Sequence, residues 1–134
     1  MLTEAQVKRA TKYYLDKKGY KEIDSRELHE TGPDLKMRDR RNGRTITIEA
    51  KGVSDAKSGM ENKIVTALGQ SVARFHSHPN YFLGIAVPIE WKRRMLRKLN
   101  RDAMSALQIV LYFVREDGSV EEVSPRSYRR HAAA

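Results

Sequence analysis

The sequence predicts an α/β domain in which a mixed central sheet is flanked by helices. Three observations favour this fold class. Segments with helical periodicity alternate with strand-like segments in the order αβββαβαβ, followed by a further short strand. An Asn-Gly pair between two alternating segments marks a β-hairpin. The two longest apolar runs, YFLGIAVP and QIVLYFV, have the length of buried strands and fall short of a membrane span.

The first predicted elements are a helix, a weak strand and the hairpin. The helix starts at a capping-box pattern formed by Thr3 and Gln6, and Gly19 ends it. A weak strand is expected within 21–27. The Asn-Gly pair at 42–43 predicts a two-residue loop, because both turn residues must accept a positive φ.

That loop predicts how the two hairpin strands pair. In a two-residue loop Arg41 lies opposite Arg44. Counting along both strands puts Asp34 opposite Lys51, and Glu49 becomes the diagonal neighbour of Asp34 at roughly 7–8 Å. Alternation gives the hairpin an apolar face that should lie on the core: Leu35, Met37, Ile46, Ile48 and Ala50. The other face is polar and carries Asp34, Lys36, Arg38, Thr45, Thr47, Glu49 and Lys51.

The second half of the chain is read as two helices and three strands. A helix is expected at about 60–77, a strand at 81–87, a further helix at about 90–105 and a buried strand at 108–114. The Asp-Gly pair at 117–118 then turns the chain into a short partner strand.

Each of these two helices has a predicted core stripe. In the first, one line of apolar side chains is expected to be buried: Ile64, Val65, Leu68, Val72 and Phe75. A second line beside it could face a functional site: Lys63, Ala67, Gln70 and Arg74. The later helix has its core stripe at Trp91, Met95 and Leu99 and is otherwise strongly basic.

Size and composition indicate one compact domain over residues 1–125, followed by a basic tail at 126–134 that should fray. The chain of 134 residues has no cysteine, which excludes a disulfide framework and thiolate metal sites. No apolar run is long enough to cross a bilayer, so we expect no membrane partner and a cytoplasmic protein.

The charge balance points to a polyanionic partner. Lys and Arg number 26 against 17 Asp and Glu, which gives a net charge of +9. Small domains this basic often bind nucleic acid, although the excess can serve solubility alone. The candidate phosphate contacts are Arg38, Arg40, Arg41, Arg44, Lys63, Arg74, Arg94 and Arg97. None of these groups looks suited to reading base edges, so we expect little sequence specificity.

The polar face of the hairpin could hold a metal ion. Two carboxylates as close as Asp34 and Glu49 can both reach one divalent cation, and oxygen-only ligation suits Mg²⁺. Lys51 could then orient an attacking water or neutralise charge on a phosphoryl group. A solvated face with an ordinary cross-strand ion pair explains the same residues equally well.

The Gly-Pro pair before Asp34, the Asn-Gly hairpin and the run Glu49-Ala50-Lys51 together resemble the PD-(D/E)XK nuclease superfamily. The resemblance extends from about residue 3 to 115 and implies a restriction-endonuclease-like αβββαβ core, with an extra C-terminal helix and strands. It implies that Asp34 and Glu49 bind metal, that the backbone carbonyl of Ala50 is a further ligand, and that Lys51 is the catalytic lysine.

The resemblance also implies two residues outside the hairpin. Many members place a glutamine near the active site on the helix after the motif, and Gln70 matches it. Members often carry a metal-binding glutamate on the first helix, for which Glu4 is the candidate here. Stabilisation of the helix dipole would explain Glu4 equally well.

The expected function is that of a Mg²⁺-dependent DNA nuclease, with Mn²⁺ able to substitute. We expect an endonuclease that is directed by DNA structure or by a targeting partner protein, and we consider a homodimer because cutting both strands usually needs two sites. Two alternatives stay open: a catalytically inert DNA-binding module on the same fold, and an RNA-processing nuclease.

Overall fold

The structure is a computed structural model that describes residues 1–23, 34–53 and 59–128. In these stretches the chain forms one six-stranded sheet and four α-helices. The strands are β1 (Tyr20–Glu22), β2 (Leu35–Asp39), β3 (Thr45–Ala50), β4 (Tyr81–Pro88), β5 (Ile109–Val114) and β6 (Val120–Val123). The helices are α1 (Glu4–Lys17), α2 (Met60–Ala73), α3 (Lys92–Lys98) and α4 (Arg101–Leu107), and a 3₁₀ turn at Ile89–Trp91 precedes α3.

The six strands lie in the sheet in their chain order. Strands β3, β4 and β5 are parallel, whereas β1, β2 and β6 pair antiparallel with their neighbours. The predicted class, an α/β fold with a mixed sheet flanked by helices, is therefore confirmed. No helix in the described stretches combines the length and the apolar character needed to cross a membrane.

Two apolar cores cover the two faces of the sheet. Helix α1 packs on one face, where Val7 and Leu15 meet the apolar side of the hairpin. Helices α2, α3 and α4 pack on the other face, where Ile64, Met95 and Met104 meet alternate residues of β4 and β5. Because both crossovers between parallel strands lie on this second face, the polar side of the hairpin meets α2.

Helix α1 begins and ends as the sequence predicts. The amide of Thr3 donates to Gln6 Oε1 at 2.9 Å, and the amide of Gln6 donates to Thr3 Oγ1 at 3.3 Å, which completes the capping box. After the C-cap residue Lys18, Gly19 takes a φ of 98° that an L side chain would resist. Strand β1 overlaps the weak strand expected within 21–27 at residues 21 and 22. Residues 24–27 lie outside the described stretches.

The single helix expected at 90–105 is wrong, because the chain breaks it at Leu99 and Asn100. Leu99 is extended, with φ −102° and ψ 124°. The side chain of Asn100 caps a new helix by accepting a hydrogen bond from the amide of Ala103 at 2.7 Å. The apolar stripe of Trp91, Met95 and Leu99 is nevertheless buried as expected.

The predicted core stripe of α2 is also wrong in part. Val65, Val72 and Phe75 are 58%, 50% and 42% exposed, and the helix ends at Ala73 rather than near residue 77. The buried residues are Ile64, Ala67 and Ser71. Small side chains at the last two positions suit close packing against the sheet, and this rotation brings the neighbouring polar line of α2 towards the hairpin.

The start of the predicted tail is anchored to the core. The hydroxyl of Tyr128 lies 2.7 Å from the carbonyl oxygens of both Leu96 and Leu99, so its hydrogen can bond either one. The tail predicted to fray over 126–134 is therefore held as far as Tyr128, and residues 129–134 lie outside the described stretches.

Candidate active site

The register of the hairpin differs from the predicted one by two residues. Leu35 pairs with Ile48, and Arg38 pairs with Thr45. The amide of Asp39 donates to the carbonyl of Arg44 at 2.8 Å, so that four residues, 40–43, form the loop. An even shift leaves each side chain on its predicted face. The apolar side of the hairpin is buried as expected.

Side-chain hydrogen bonds explain why the loop is longer than two residues. A type I′ turn needs a positive φ at both central residues, but of the pair only Gly43 has one, at 74°. The buried carboxylate of Asp39 instead accepts from the amide of Arg41 at 2.9 Å. Asn42 Oδ1 accepts from the amide of Arg44 at 2.9 Å. The Asn-Gly pair thus marks the turn correctly and gives its length wrongly.

The corrected register makes the two acids of the motif cross-strand neighbours. One step beyond the pair of Leu35 and Ile48, Asp34 falls opposite Glu49 instead of Lys51. Directly opposed residues have Cβ atoms about 4.5–5.5 Å apart. Asp34 Oδ2 also accepts a hydrogen bond from the amide of Ala50 at 2.8 Å. This bond fixes the Asp34 carboxylate at the carboxyl end of β3. Gly32 and Pro33, the rest of the motif, lie outside the described stretches.

Glu49 is a buried carboxylate, with 4% of the residue exposed. Burial and the neighbouring charge of Asp34 raise the pKa of Glu49 to about 7, against the opposing effect of Arg74 and Lys51. An acid whose pKa lies near neutrality, with a specific charged neighbour, is typical of functional sites. The two acids therefore share a site in which full ionisation of both is unfavourable.

Arg74, the C-cap residue of α2, places a cation against Glu49. Its Nη1 lies 2.5 Å from Glu49 Oε1, and the same nitrogen donates to the carbonyl of Gln70 at 2.9 Å. The Arg74 side chain is 21% exposed and the Glu49 side chain 5%. The ion pair thus joins the end of α2 to the end of β3 at the border of the core.

Three buried side-chain atoms in the described stretches make no hydrogen bond, and all three lie on β3 and α2. They are Glu49 Oε1, Gln70 Oε1 and Ser71 Oγ. The contact between Arg74 and Glu49 is thus close in distance but lacks hydrogen-bond geometry. Buried acceptors without a donor are uncommon in native proteins and call for an explanation. Here they lie on the two elements that carry most of the candidate site residues.

The backbone just after the acid pair is fixed by two further contacts. The amide of Lys51 donates to the carbonyl of Ala86 at 2.9 Å, which extends the pairing of β3 with β4. Lys63 Nζ, on α2, donates to the carbonyl of Gly52 at 2.6 Å. Lys51 itself is half-buried. The predicted catalytic lysine therefore stands on a rigid segment next to Glu49.

The N-terminus of α1 presses against the same segment. A Cβ on Gly52 would lie 2.3 Å from the amide nitrogen of Glu4 and 2.4 Å from the carbonyl carbon of Thr3. Glu4 is therefore near the motif through its backbone, and its side chain is exposed. Within the described stretches no three acidic or histidine side chains converge, so the structure does not gather Glu4 with Asp34 and Glu49.

The arginines of the hairpin tip lie far from the acid pair. From Arg44 to Glu49 the strand advances five residues, or about 17 Å. Arg41 is bound to Asp39, and Arg44 lies 4.5 Å from the centre of the Phe82 ring. Arg38 donates to Thr45 Oγ1 at 3.3 Å, one step from the residues that flank the loop. Arg40 is exposed at the tip.

The basic residues of α3 form a separate surface. Arg94 Nη1 lies 2.8 Å from Glu61 Oε1, and Lys98 Nζ lies 2.6 Å from Glu61 Oε2, which links α3 to the start of α2. Arg97 is exposed. Of the predicted phosphate contacts, the structure brings only Arg74 and Lys63 close to the motif. The contact between Arg74 and Glu49 was missed from the sequence, although Gln70 and Arg74 stand at helical spacing.

Comparison with known proteins supports the fold. No family model matches the sequence, and no curated protein matches it significantly. One solved structure, described as an XisH family protein from Nostoc punctiforme PCC 73102, is similar with a TM-score of 0.56 and 18% identity. The match covers 89% of this chain and 99% of that chain. At this identity the similarity concerns the fold alone.

Proposed function

We propose that this protein is a Mg²⁺-dependent nuclease that hydrolyses phosphodiester bonds in DNA, with the active site at the carboxyl end of β3. The observation that carries the proposal is the cross-strand pair of Asp34 and Glu49, one buried and with its pKa raised to about 7. Lys51 follows on the same strand end. The PD-(D/E)XK motif assigns roles to these same three residues.

The chemistry of the acid pair fits a divalent cation. Glu49 Oε1 is buried without a hydrogen bond among the described residues, and Asp34 is held beside it. Asp34, Glu49 and the backbone carbonyl of Ala50 would hold Mg²⁺, which commonly takes one or two carboxylates and completes its shell with waters and phosphate oxygens. When bound, Mg²⁺ supplies Lewis acidity that activates a water and neutralises charge on the phosphate. Mn²⁺ should substitute.

The remaining residues would position the attacking water and the substrate and neutralise charge on the phosphate. Lys51 would hydrogen-bond the attacking water or offset the charge that develops on the phosphoryl oxygens. Gln70 Oε1, a buried acceptor without a donor in the described chain, would accept a hydrogen bond from that water or from the substrate. Lys63 and Arg74 would contact the phosphate backbone from the adjacent helix.

The charge of the wider surface supports a nucleic-acid substrate but does not support recognition of individual bases. The net charge of +9 favours binding of a polyanion through its phosphates. The exposed Arg40 and Arg97 lie on separate surfaces, which suits contacts to the backbone of a long substrate. Targeting would then come from the structure of the DNA or from a partner protein, and cutting of both strands from a homodimer. A chain without cysteine suits the reducing cytoplasm.

One observation favours a second candidate, a catalytically inert DNA-binding module. Arg74 already lies against Glu49, so an internal cation offsets the buried acid without any metal. Such a module would bind DNA equally well with EDTA and would tolerate loss of Glu49. An RNA-processing nuclease has the same expected chemistry as the first candidate, and competition between DNA and RNA substrates distinguishes the two.

The test is cleavage of supercoiled, linear and branched DNA in Mg²⁺, Mn²⁺ or EDTA. Wild type, Glu49→Gln and Lys51→Ala are compared, with DNA binding measured for each. The nuclease proposal expects cutting by wild type in either metal, none in EDTA, and loss of cutting with retained binding in both variants. Tight DNA binding without cutting in any metal would instead favour the inert module.

A further inference from the structure

We infer that Arg74 couples metal binding to substrate binding, because it lies against Glu49 and must leave before a divalent cation can bind both acids. This inference rests on the proposed nuclease function and concerns the same site. It gives Arg74 two successive partners: the Glu49 carboxylate first, and a substrate phosphate once metal is bound.

The first partner is defined by geometry. Arg74 Nη1 lies 2.5 Å from Glu49 Oε1, inside the core border where an ion pair is weakly screened by solvent. Asp34 lies directly opposite Glu49 across the strands. A cation shared by the two acids would therefore compete with the guanidinium for Glu49.

The contact between Arg74 Nη1 and Glu49 Oε1 is a contact between charges. Its geometry is not that of a hydrogen bond, so Glu49 Oε1 gains charge compensation without directed bonding. The ion pair at the hairpin tip differs, since Arg41 donates hydrogen bonds to both oxygens of Asp39, at 3.2 and 3.1 Å.

The position of Arg74 allows it to move outwards. It is the C-cap residue of α2, where the helix ends, and its side chain is 21% exposed. The following residue, Phe75, is exposed. Rotation of the side chain about its own bonds would carry the guanidinium from Glu49 towards solvent, where a phosphate bound at the acid pair would lie.

The charge balance gives the direction of the coupling. In the metal-free protein Asp34 and Glu49 are balanced by Arg74 and Lys51. A divalent cation without substrate adds two positive charges beside Arg74 and Lys51, whereas a phosphate that arrives with the metal offsets this excess charge. Metal and nucleic acid should therefore bind with positive cooperativity, and by linkage each should raise the affinity for the other equally.

The first experiment measures Mn²⁺ affinity by calorimetry without nucleic acid, for wild type, Arg74→Ala, Arg74→Lys and Arg94→Ala. Arg94→Ala removes the same charge from a surface pair with Glu61 and serves as the matched control. We expect Arg74→Ala to bind Mn²⁺ about tenfold more tightly, since a competing charge is gone, and Arg94→Ala to change affinity less than about twofold. Arg74→Lys, which keeps the charge, should lie between wild type and Arg74→Ala, and thermal melting checks that each variant is folded.

The second experiment repeats the titration with a saturating DNA duplex, in a Lys51→Ala background so that the DNA stays intact. We expect DNA to raise the Mn²⁺ affinity of the Lys51→Ala protein and to leave that of the double variant with Arg74→Ala nearly unchanged. Equal or weaker Mn²⁺ binding by Arg74→Ala, or the same response to DNA in both backgrounds, would overturn the inference while leaving the nuclease proposal intact. Absence of Mn²⁺ binding in the wild type would overturn both.

Discussion

The two ends of the β2–β3 hairpin each set an arginine beside a carboxylate with little exposure, and the two carboxylates respond in opposite ways. At the tip, hydrogen bonds from the Arg41 side chain and backbone hold the pKa of Asp39 below its usual value. At the other end, burial and Asp34 raise the pKa of Glu49 to about 7, despite Arg74. The difference is that hydrogen bonds from Arg41 stabilise the charged form of Asp39, whereas burial and a second acid disfavour the charged form of Glu49.

This contrast separates a structural ion pair from a candidate catalytic one. Asp39 accepts three hydrogen bonds from Arg41, and they close the loop that sets the register of the hairpin. Glu49 has an oxygen with no hydrogen bond among the described residues, next to a second acid. The acid that stabilises the fold is fully hydrogen-bonded, whereas the acid at the candidate site lies against Arg74 through an oxygen that makes no hydrogen bond in the described stretches.

The largest expected effect comes from replacing each acid in turn by its neutral amide. Glu49→Gln should lower Mg²⁺-dependent cleavage on the order of 10³-fold, because it removes a metal ligand from the reacting centre. Asp39→Asn should leave cleavage nearly unchanged and lower the melting temperature, because the loop loses its charged acceptor. Cleavage rates and thermal melts of both variants measure the contrast. Equal losses of cleavage in the two variants would contradict the division of roles.

A smaller effect is expected from the glycine that brings α1 against the site. Gly52→Ala should destabilise the protein by about 3 kcal/mol, because its Cβ would meet backbone atoms of Glu4 and Thr3 that cannot move aside separately. Gly59→Ala is the matched control, since a Cβ there meets nothing within 4 Å. Urea denaturation of both variants gives the comparison. A Gly52→Ala protein as stable as the Gly59→Ala protein would show that α1 does not press on the motif.

The smallest expected effect is a pH dependence of stability that differs between the two acids. The pKa of Glu49 is raised in the folded state, so the folded protein binds the proton more tightly, and stability should fall as pH rises from about 4.5 to about 7. Asp39 has a lowered pKa, so its contribution is present above its unfolded pKa and is lost as pH falls through the acid range.

The measurement is thermal melting of the metal-free protein from pH 4 to pH 8. Glu49→Gln should abolish the fall in melting temperature towards neutral pH. As pH rises, the melting temperature of the variant should therefore increase relative to that of wild type. A wild-type curve that stays parallel to that of Glu49→Gln would mean that Glu49 titrates normally. Asp39→Asn is the control: it should lower the melting temperature above the acid range and leave the decline towards neutral pH in place.

From the sequence we predicted correctly that helices flank a mixed sheet and which face of the hairpin is buried. The register of the hairpin and the orientation of α2 on the sheet were predicted wrongly. The apolar face of the hairpin was predicted correctly because alternation survives any even shift in pairing. The register itself was wrong, because the buried hydrogen bonds of Asp39 favour a longer loop than the Asn-Gly pair suggests. The break at Asn100 had a signal, an N-cap residue inside a helical pattern, that its basic surroundings obscured.

The candidate site shows the same limit. Asp34, Glu49 and Lys51 could be proposed from their spacing along the hairpin, because the strand order brings them to one end. Arg74 could not be matched to Glu49, since that contact depends on how α2 is rotated on the sheet. Counting apolar residues favoured a stripe through Val65 and Val72, whereas close packing against the strands favours the small residues Ala67 and Ser71.

The measurement that tests the central claim most directly is a crystal structure of the wild-type protein grown with Mn²⁺, with anomalous diffraction recorded at the manganese edge. We expect one strong anomalous peak within coordination distance of carboxylate oxygens from both Asp34 and Glu49, with Arg74 turned away from Glu49. Well-ordered Asp34 and Glu49 without a peak between them, and Arg74 still against Glu49 at saturating Mn²⁺, would contradict the account.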